Sequence, residues 1–359
     1  MISLLAPGQG SQTPGMLSPW LALPGAQDRL EVWSKAAGLD LVRLGTTATA
    51  EEITDTSVTQ PLVVAAALLA YEEIESRGLL GADVIAAGHS VGELAAAAVA
   101  GVISADDAVA LAALRGAEMA KACALEPTGM SAVLGGDEAE VLARLEELGL
   151  EPANRNAAGQ IVAAGLLTAL EELAANAPEK ARVRALPVAG AFHTRFMAPA
   201  QDAVAAAAAK ITPSDPTRTL LSNSDGAPVS SGADALTKLA AQVTRPVRWD
   251  LCSASLRTAE VTAIVELPPA GTLVGIAKRE MRGTPTVASR TRRISPHCPS
   301  SPSSGAHPAD QPERRPDVSP HLNRSRRSHT SGPHSGRNHR GTRPDRGGGH
   351  RYRAFRGHR

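Results

Sequence analysis

The chain has 359 residues and a formal net charge of +1, but this near-neutral total conceals two unlike parts. Residues 291–359 contain fifteen Arg and no Lys and are rich in Ser, Pro, Gly and His, whereas acidic side chains outnumber basic ones in residues 1–290. A segment with so few large aliphatic side chains cannot bury enough apolar surface to offset its chain entropy. We therefore expect a folded, acidic body followed by a disordered tail.

The composition also excludes several classes of protein. The three cysteines, Cys123, Cys252 and Cys298, have neither the spacing of a metal site nor that of a disulfide framework, which favours a reducing cytoplasm. The first residues, MISLLAPGQG, lack the basic segment of a signal peptide, and no stretch has the sustained hydrophobicity of a membrane span. We expect a cytoplasmic protein with no metal and no membrane contact.

Short apolar runs alternate with helical patterns along most of the body. Strands are predicted at residues 2–6, 83–88, 218–223 and 263–268, and helices at 60–77, 91–103, 105–123, 197–210 and 231–242. This alternation is typical of an α/β fold with a mostly parallel sheet. We assign residues 1–125 and 189–285 to such a hydrolase-like body.

The rhythm changes between residues 126 and 188. The predicted elements there are strand 130–136, helix 137–148, strand 160–165, helix 167–177 and strand 182–188. About sixty residues with this order suit a small ferredoxin-like α+β insert. We expect the substrate to lie in a cleft between this insert and the body.

The stretch GHSVG, residues 88–92, places a serine between two glycines where a predicted strand meets a predicted helix. It matches the G-x-S-x-G nucleophile elbow, in which a sharp turn exposes the serine and the helix N-terminus faces the developing oxyanion. The pattern is weak by itself, because a plain tight turn also favours glycine. Its position between a strand and a helix favours Ser90 as a nucleophile.

A serine nucleophile needs a general base, and histidine is the residue that suits neutral pH. Residues 1–290 contain two histidines, His89 and His193. His89 adjoins Ser90, and neighbouring side chains across such a turn usually point apart. We therefore favour His193, although a lone histidine is more often a structural residue.

Several motifs occur in an order that resembles one enzyme family. They are PGQGSQ (7–12), TQP (59–61), GHSVGE (88–93), LRG with EMAKA (114–122), NRNAAGQIVAAG (154–165), GAFHT (190–194), SNSDG (222–226) and QVTRPVRW (242–249). Together they resemble the malonyl-CoA:acyl-carrier-protein transacylases of fatty acid synthesis and the related acyltransferase domains of polyketide synthases. The resemblance covers nearly all of residues 1–285.

The resemblance implies a catalytic role for three residues. Ser90 would carry the acyl group as an ester, and His193 would act first as base and then as acid. Gln242 would orient the histidine through a hydrogen bond, in the place where a hydrolase has a carboxylate.

The resemblance also implies how the substrate is held. The backbone N–H groups of Gln9 and Val91 would form the oxyanion hole, and Arg115 would bind the free carboxylate of the malonyl group. A guanidinium can bind a carboxylate through two parallel hydrogen bonds, which fixes the reacting carbonyl. Phe192, before the candidate base, would exclude a branched acyl group; its other interpretation is a core residue.

The implied reaction is ping-pong, from malonyl-CoA to Ser90 and then to the phosphopantetheine thiol of acyl carrier protein. No bound cofactor is implied, and we expect a monomer. The carrier is acidic, so a basic rim is expected, with Arg155, Arg195, Arg245 and Arg248 as candidates.

Two other functions remain open at this point. A patatin-type lipid hydrolase also uses G-x-S-x-G, and Asp225 in SDGAP would then be the partner of Ser90. The arginine-rich tail, if genuine, would bind nucleic acid through charge. The tail departs from the family pattern, and its composition leads us to the hypothesis of a frameshift near residues 285–295.

Overall fold

The computed structural model describes residues 1–81 and 83–290. The strands are β1 (Ile2–Ala6), β2 (Val84–Gly88), β3 (Thr128–Gly135), β4 (Glu151–Ala157), β5 (Gln160–Leu166), β6 (Ala181–Ala185), β7 (Thr219–Leu221), β8 (Ala263–Glu266) and β9 (Thr286–Ala288). The helices are α1 (Ala26–Ala37), α2 (Leu41–Thr46), α3 (Thr56–Ser76), α4 (Gly92–Val99), α5 (Ala105–Cys123), α6 (Glu138–Glu147), α7 (Leu167–Ala175), α8 (Ala198–Ala208), α9 (Gly232–Ala241), α10 (Trp249–Thr258) and α11 (Thr272–Glu280). The predicted disorder of residues 291–359 lies outside these residues, and so does most of the sequence that a frameshift near residues 285–295 would alter.

The larger sheet is parallel throughout and has the order β7-β2-β1-β8-β9. Its central strands are apolar without alternation because both of their faces are buried. Leu4 and Ala86 lie in the main core cluster, while Leu5 and Ile85 belong to a second cluster on the opposite face. The α/β class and the parallel sheet expected from the sequence are confirmed.

The smaller sheet is antiparallel, with the order β4-β5-β3-β6. Its strands and helices follow in the chain as β-α-β-β-α-β, which is the ferredoxin-like arrangement. One face packs on α6 and α7 through a small core of its own that includes Val133, Leu145 and Leu170. Met130 and Val162 belong instead to the main core, so the two sheets share a hydrophobic contact.

Strand β4 joins the smaller sheet to the body. The backbone N–H of Arg155 donates to Val247 O at 2.9 Å, and the N–H of Val247 donates to Ala153 O at 2.9 Å. No strand was predicted from the sequence at residues 151–157, which form β4. Polar side chains and Pro152 remove the apolar alternation by which a strand is predicted, although β4 pairs with the adjacent strand β5.

No helix among residues 1–81 and 83–290 is both long and apolar enough to cross a bilayer. The longest helix, α3, is largely buried inside the body, with Pro61 in its first turns. Ser104 is the N-cap of helix α5, and its side chain accepts a hydrogen bond from the Asp107 N–H. Helix α4 is shorter than the predicted 91–103 and ends at Val99.

Glu266 anchors the end of the central sheet to the following helix. Its carboxylate is fully buried and accepts hydrogen bonds from the N–H groups of Gly271 at 2.8 Å, Leu273 at 3.0 Å and Val274 at 2.8 Å. These N–H groups belong to the N-terminus of α11, where they lack helical partners and favour a negative charge. One buried carboxylate therefore satisfies three donors at once.

Glu266→Gln should destabilise the protein by about 1–3 kcal/mol, because the new amide turns a donor toward backbone N–H groups. The measurement is the free energy of unfolding in urea. Glu171→Gln, at an exposed position of α7, is the matched control and should change stability by less than about 0.5 kcal/mol. Equal effects of the two changes would contradict the role given to Glu266.

Candidate active site

The two glycines that flank Ser90 are required by close backbone contacts. A Cβ atom at Gly88 would lie 2.0 Å from Gly92 O, and one at Gly92 would lie 2.3 Å from Ala6 O. Ser90 itself has a φ of 54°, in the left-handed region that side chains rarely adopt. Strand β2 and helix α4 thus meet in a nucleophile elbow with a constrained serine at its apex.

The loop after β1 lies against this elbow. A Cβ atom at Gly8 would be 2.6 Å from His89 O, so the PGQG loop also approaches backbone to backbone. Among residues 1–81 and 83–290, neither the Gln9 N–H nor the Val91 N–H donates a hydrogen bond. Two unengaged N–H groups near a serine are what an oxyanion hole requires.

Ser90 and His193 form a hydrogen-bonded pair. The distance from Ser90 Oγ to His193 Nε2 is 2.7 Å, and His193 Nδ1 lies 2.8 Å from the backbone carbonyl of Gln242. A carbonyl only accepts, so Nδ1 carries the proton and Nε2 is free to accept from the serine hydroxyl. Gln242 therefore orients the histidine through its main chain, not through its side chain.

The environment keeps this imidazole neutral. Burial, and next the nearby charge of Arg115, lower the pKa of His193 from 6.5 to about 3. Burial also lowers the pKa of Arg115, to about 10, and the guanidinium remains charged at neutral pH. The site thus pairs an uncharged base with a fixed cation.

Arg115 reaches the serine from helix α5. Its guanidinium donates to Gln60 Oε1 at 2.5 Å, to Gln242 Oε1 at 3.0 Å and to Ser90 Oγ at 3.4 Å. The side chain is buried, and within the described ranges no carboxylate forms an ion pair with it. A buried cation held only by neutral oxygens can still attract an anion.

Sequence reasoning missed three residues of this network: Gln60, Glu93 and Asn223. Glu93 is buried and accepts hydrogen bonds from Asn223 N at 2.8 Å and from Gln242 Nε2. Burial raises the pKa of the Glu93 carboxyl to about 7. All three residues lay inside motifs that the sequence already singled out, TQP, GHSVGE and SNSDG, which was the available signal.

His89 points into another environment. Its Nε2 lies 2.9 Å from Asn156 Oδ1 on strand β4, and its ring packs 5.6 Å from the ring of Trp249. Burial lowers the pKa of His89. The histidine next to the serine therefore helps to join the body to the smaller sheet.

The alternative partner of Ser90 does not contact it. Asp225 is exposed, accepts from the Ala227 N–H at 3.0 Å and lies 3.3 Å from Lys238 Nζ. The serine–aspartate pair of a patatin-type hydrolase is therefore not favoured.

Three of the four arginines considered for a basic rim already pair with acids of this chain. These pairs are Arg155 with Glu138, Arg195 with Glu151 and Arg248 with Asp250. Arg245 has no such ion pair with any other described residue. Ion pairs near the surface contribute little to stability and are easily exchanged for other partners.

Comparison with known proteins places the chain in a family. Residues 4–295 match the acyl transferase domain family. The malonyl CoA-acyl carrier protein transacylase of Mycobacterium tuberculosis strain H37Rv is 74% identical over 289 residues, which are 80% of this chain and 96% of the relative. The enzyme of the same name from Escherichia coli K12 is 35% identical over 280 residues, 76% of this chain and 90% of the relative.

Solved structures agree with the sequence comparison. A crystal structure of MCAT from Mycobacterium tuberculosis superposes with a TM-score of 0.80 at 73% identity, covering 81% of this chain and 97% of that one. A type II PKS acyl-carrier protein in complex with its malonyl-transacylase gives a TM-score of 0.74 at 29% identity, with 81% and 96% covered. With the sequence matches, these likenesses show that the chain belongs to the acyl transferase domain family, among the malonyl-CoA:acyl-carrier-protein transacylases.

Proposed function

We propose that the protein moves a malonyl group from malonyl-CoA to the phosphopantetheine thiol of an acyl carrier protein, through an ester on Ser90. The observation that carries this proposal is the Ser90–His193 pair beside Arg115, a buried cation held by amide oxygens. The names of the relatives point to the same substrates. The carrier-bound relative supports an acyl carrier protein as the partner.

The first half-reaction acylates the serine. His193 Nε2 takes the hydroxyl proton while Ser90 Oγ forms a bond to the thioester carbonyl carbon. The carbonyl oxygen becomes an oxyanion and accepts from the Gln9 and Val91 N–H groups. When the carbon–sulfur bond breaks, the imidazolium returns its proton to the sulfur, and CoA leaves as a thiol.

The second half-reaction repeats these steps in reverse. The carrier's thiol gives its proton to His193, and its sulfur attacks the carbonyl carbon of the ester. The bond to Ser90 Oγ then breaks, and the serine recovers its proton from the imidazolium. No group is consumed, and the malonyl thioester is conserved.

Arg115 selects the acyl group by its second carboxylate. The guanidinium contacts Ser90 Oγ, so a carboxylate bound there lies close to the attacking oxygen. Phe192 precedes the base and is 7% exposed within the main core, which fits its other interpretation as a core residue. Arg115 favours a dicarboxylic half-thioester.

Malonyl-CoA should leave a stable mass adduct on the wild-type protein and none on Ser90→Ala. His193→Ala should slow adduct formation by about 100- to 10,000-fold, since it removes the general base. Intact-mass spectrometry after rapid quenching measures both. Asp225→Asn is the control and should acylate normally; a loss equal to that of Ser90→Ala would favour the serine–aspartate alternative.

Arg115→Met should lower kcat/KM for malonyl-CoA by about 30- to 1,000-fold, which corresponds to about 2–4 kcal/mol for a lost charge-assisted pair. Acetyl-CoA has no second carboxylate, so its slow acylation of Ser90 should change much less. The exposed Arg77 supplies the control Arg77→Met. Equal losses with both thioesters would contradict a carboxylate-binding role.

The imidazole of His193 should not titrate between pH 5 and 8, because its pKa is lowered to about 3 by burial and by Arg115. The measurement is an NMR titration of ¹³C-labelled histidine, with the signal assigned by its loss in His193→Gln. The base is then unprotonated throughout this range. A titration midpoint of His193 near the ordinary pKa of 6.5 would show that the site does not disfavour the imidazolium.

A further inference from the structure

Asn223 connects the two ends of the nucleophile elbow from behind. Its Nδ2 donates to Gly88 O at 2.7 Å, and its Oδ1 accepts from the Ser90 N–H at 2.8 Å. One planar amide therefore binds both peptide groups that bracket His89. The residue lies more than 130 positions from the serine and is fully buried.

The backbone of Asn223 is fixed as well. Its N–H donates to Glu93 Oε1 at 2.8 Å, and its carbonyl accepts from the Arg248 N–H at 2.8 Å. Glu93 belongs to helix α4, which begins at the elbow, and Arg248 directly precedes α10. All four hydrogen-bonding groups of Asn223 are thus engaged, each by a different residue, and the side chain has no freedom to turn over.

This arrangement gives the two neighbouring N–H groups of the turn different partners. The Ser90 N–H is used by Asn223, whereas the next one, at Val91, has no acceptor in the part of the chain that the structure describes. The bond also opposes relaxation of Ser90 from its φ of 54°. A serine that relaxed would move Oγ from its 2.7 Å contact with His193.

We propose that Asn223 is a positioning residue for acyl transfer, holding Ser90 Oγ at the base and leaving the Val91 N–H for the substrate oxygen. This inference rests on the proposed function of Ser90. In this role the amide must keep its orientation, with Nδ2 toward Gly88 O and Oδ1 toward the Ser90 N–H. Reversing or removing either end loosens the nucleophile; the amide does not contact the Arg115 guanidinium directly, and the two are linked through Gln242.

Asn223→Asp tests that direction. The new carboxyl keeps an acceptor for the Ser90 N–H. When it is ionised, its other oxygen repels Gly88 O; when it is protonated, that oxygen donates a hydrogen bond to Gly88 O as the amide does. Burial raises the pKa of such a carboxyl above the ordinary range, and the Glu93 charge adds to this effect above about pH 7, where Glu93 is ionised. Cys252 is another ionisable group beside this position, with its Sγ 3.8 Å from the Asn223 amide nitrogen. Two more are linked indirectly: Arg115 through Gln242, and His193 through Ser90.

We expect Asn223→Asp to acylate Ser90 from malonyl-CoA about 10- to 100-fold more slowly than wild type at pH 8, with KM nearly unchanged. The rate relative to wild type should recover as the pH falls toward 5.5. Rapid-quench intact-mass measurements at both pH values give the ratio, and wild type corrects for the titrations of CoA and of groups that do not contact residue 223. A merely structural defect would lower the rate ratio equally at every pH.

Asn176→Asp, at an exposed position after α7, is the control and should follow wild type at each pH. If Asn223→Asp does not fold, Asn223→Ser, which keeps one short hydroxyl, decides instead: it should acylate at least about tenfold more slowly with an unchanged KM. Wild-type rates in the variant that folds would overturn the inference. Absence of any adduct on wild type would instead refute the proposed function.

Discussion

The site depends on three places where backbone meets backbone with no room for a side chain. Gly88, Gly92 and Gly8 bring the elbow, the first turn of α4 and the loop after β1 into direct contact. That contact forces the left-handed turn at Ser90 and places Gln9 beside the elbow. Once this turn is fixed, the direction of the Ser90 Oγ is fixed too. Residues distant in sequence then reach the serine through hydrogen bonds.

Arg115 has two effects on the chemistry that are linked through charge. In the free protein its cation helps to lower the pKa of His193 to about 3, which makes protonation of the base unfavourable. A malonyl carboxylate bound to the guanidinium offsets that charge and makes the imidazolium less costly. Under the proposed function, the malonyl substrate therefore makes His193 a better base for the Ser90 hydroxyl, and an uncharged acyl group does not.

Sequence alone predicted the α/β class, the parallel sheet and the strand–turn–helix around Ser90, because each leaves a local pattern of apolar and glycine residues. It predicted neither strand β4 nor the network of Glu93, Asn223 and Gln60. Strand β4 is polar, and besides its ladder with β5 it forms a single bridge to Val247 across the chain. Asn223 meets Ser90 across 133 residues, and no local period encodes such a distance. The family motifs included these residues, but the motifs did not show which groups they contact.

The choice of amides over carboxylates around the serine has an electrostatic reason. A carboxylate in place of the Gln242 side chain would lie at the 3.0 Å contact with Arg115 and form a buried ion pair. That pair would compete with the malonyl carboxylate for the same guanidinium. Gln60 and Gln242 instead hold the cation through neutral oxygens, and the carboxylate of Glu93 contacts the far end of the Gln242 amide. The pocket therefore keeps its positive charge available until the substrate arrives.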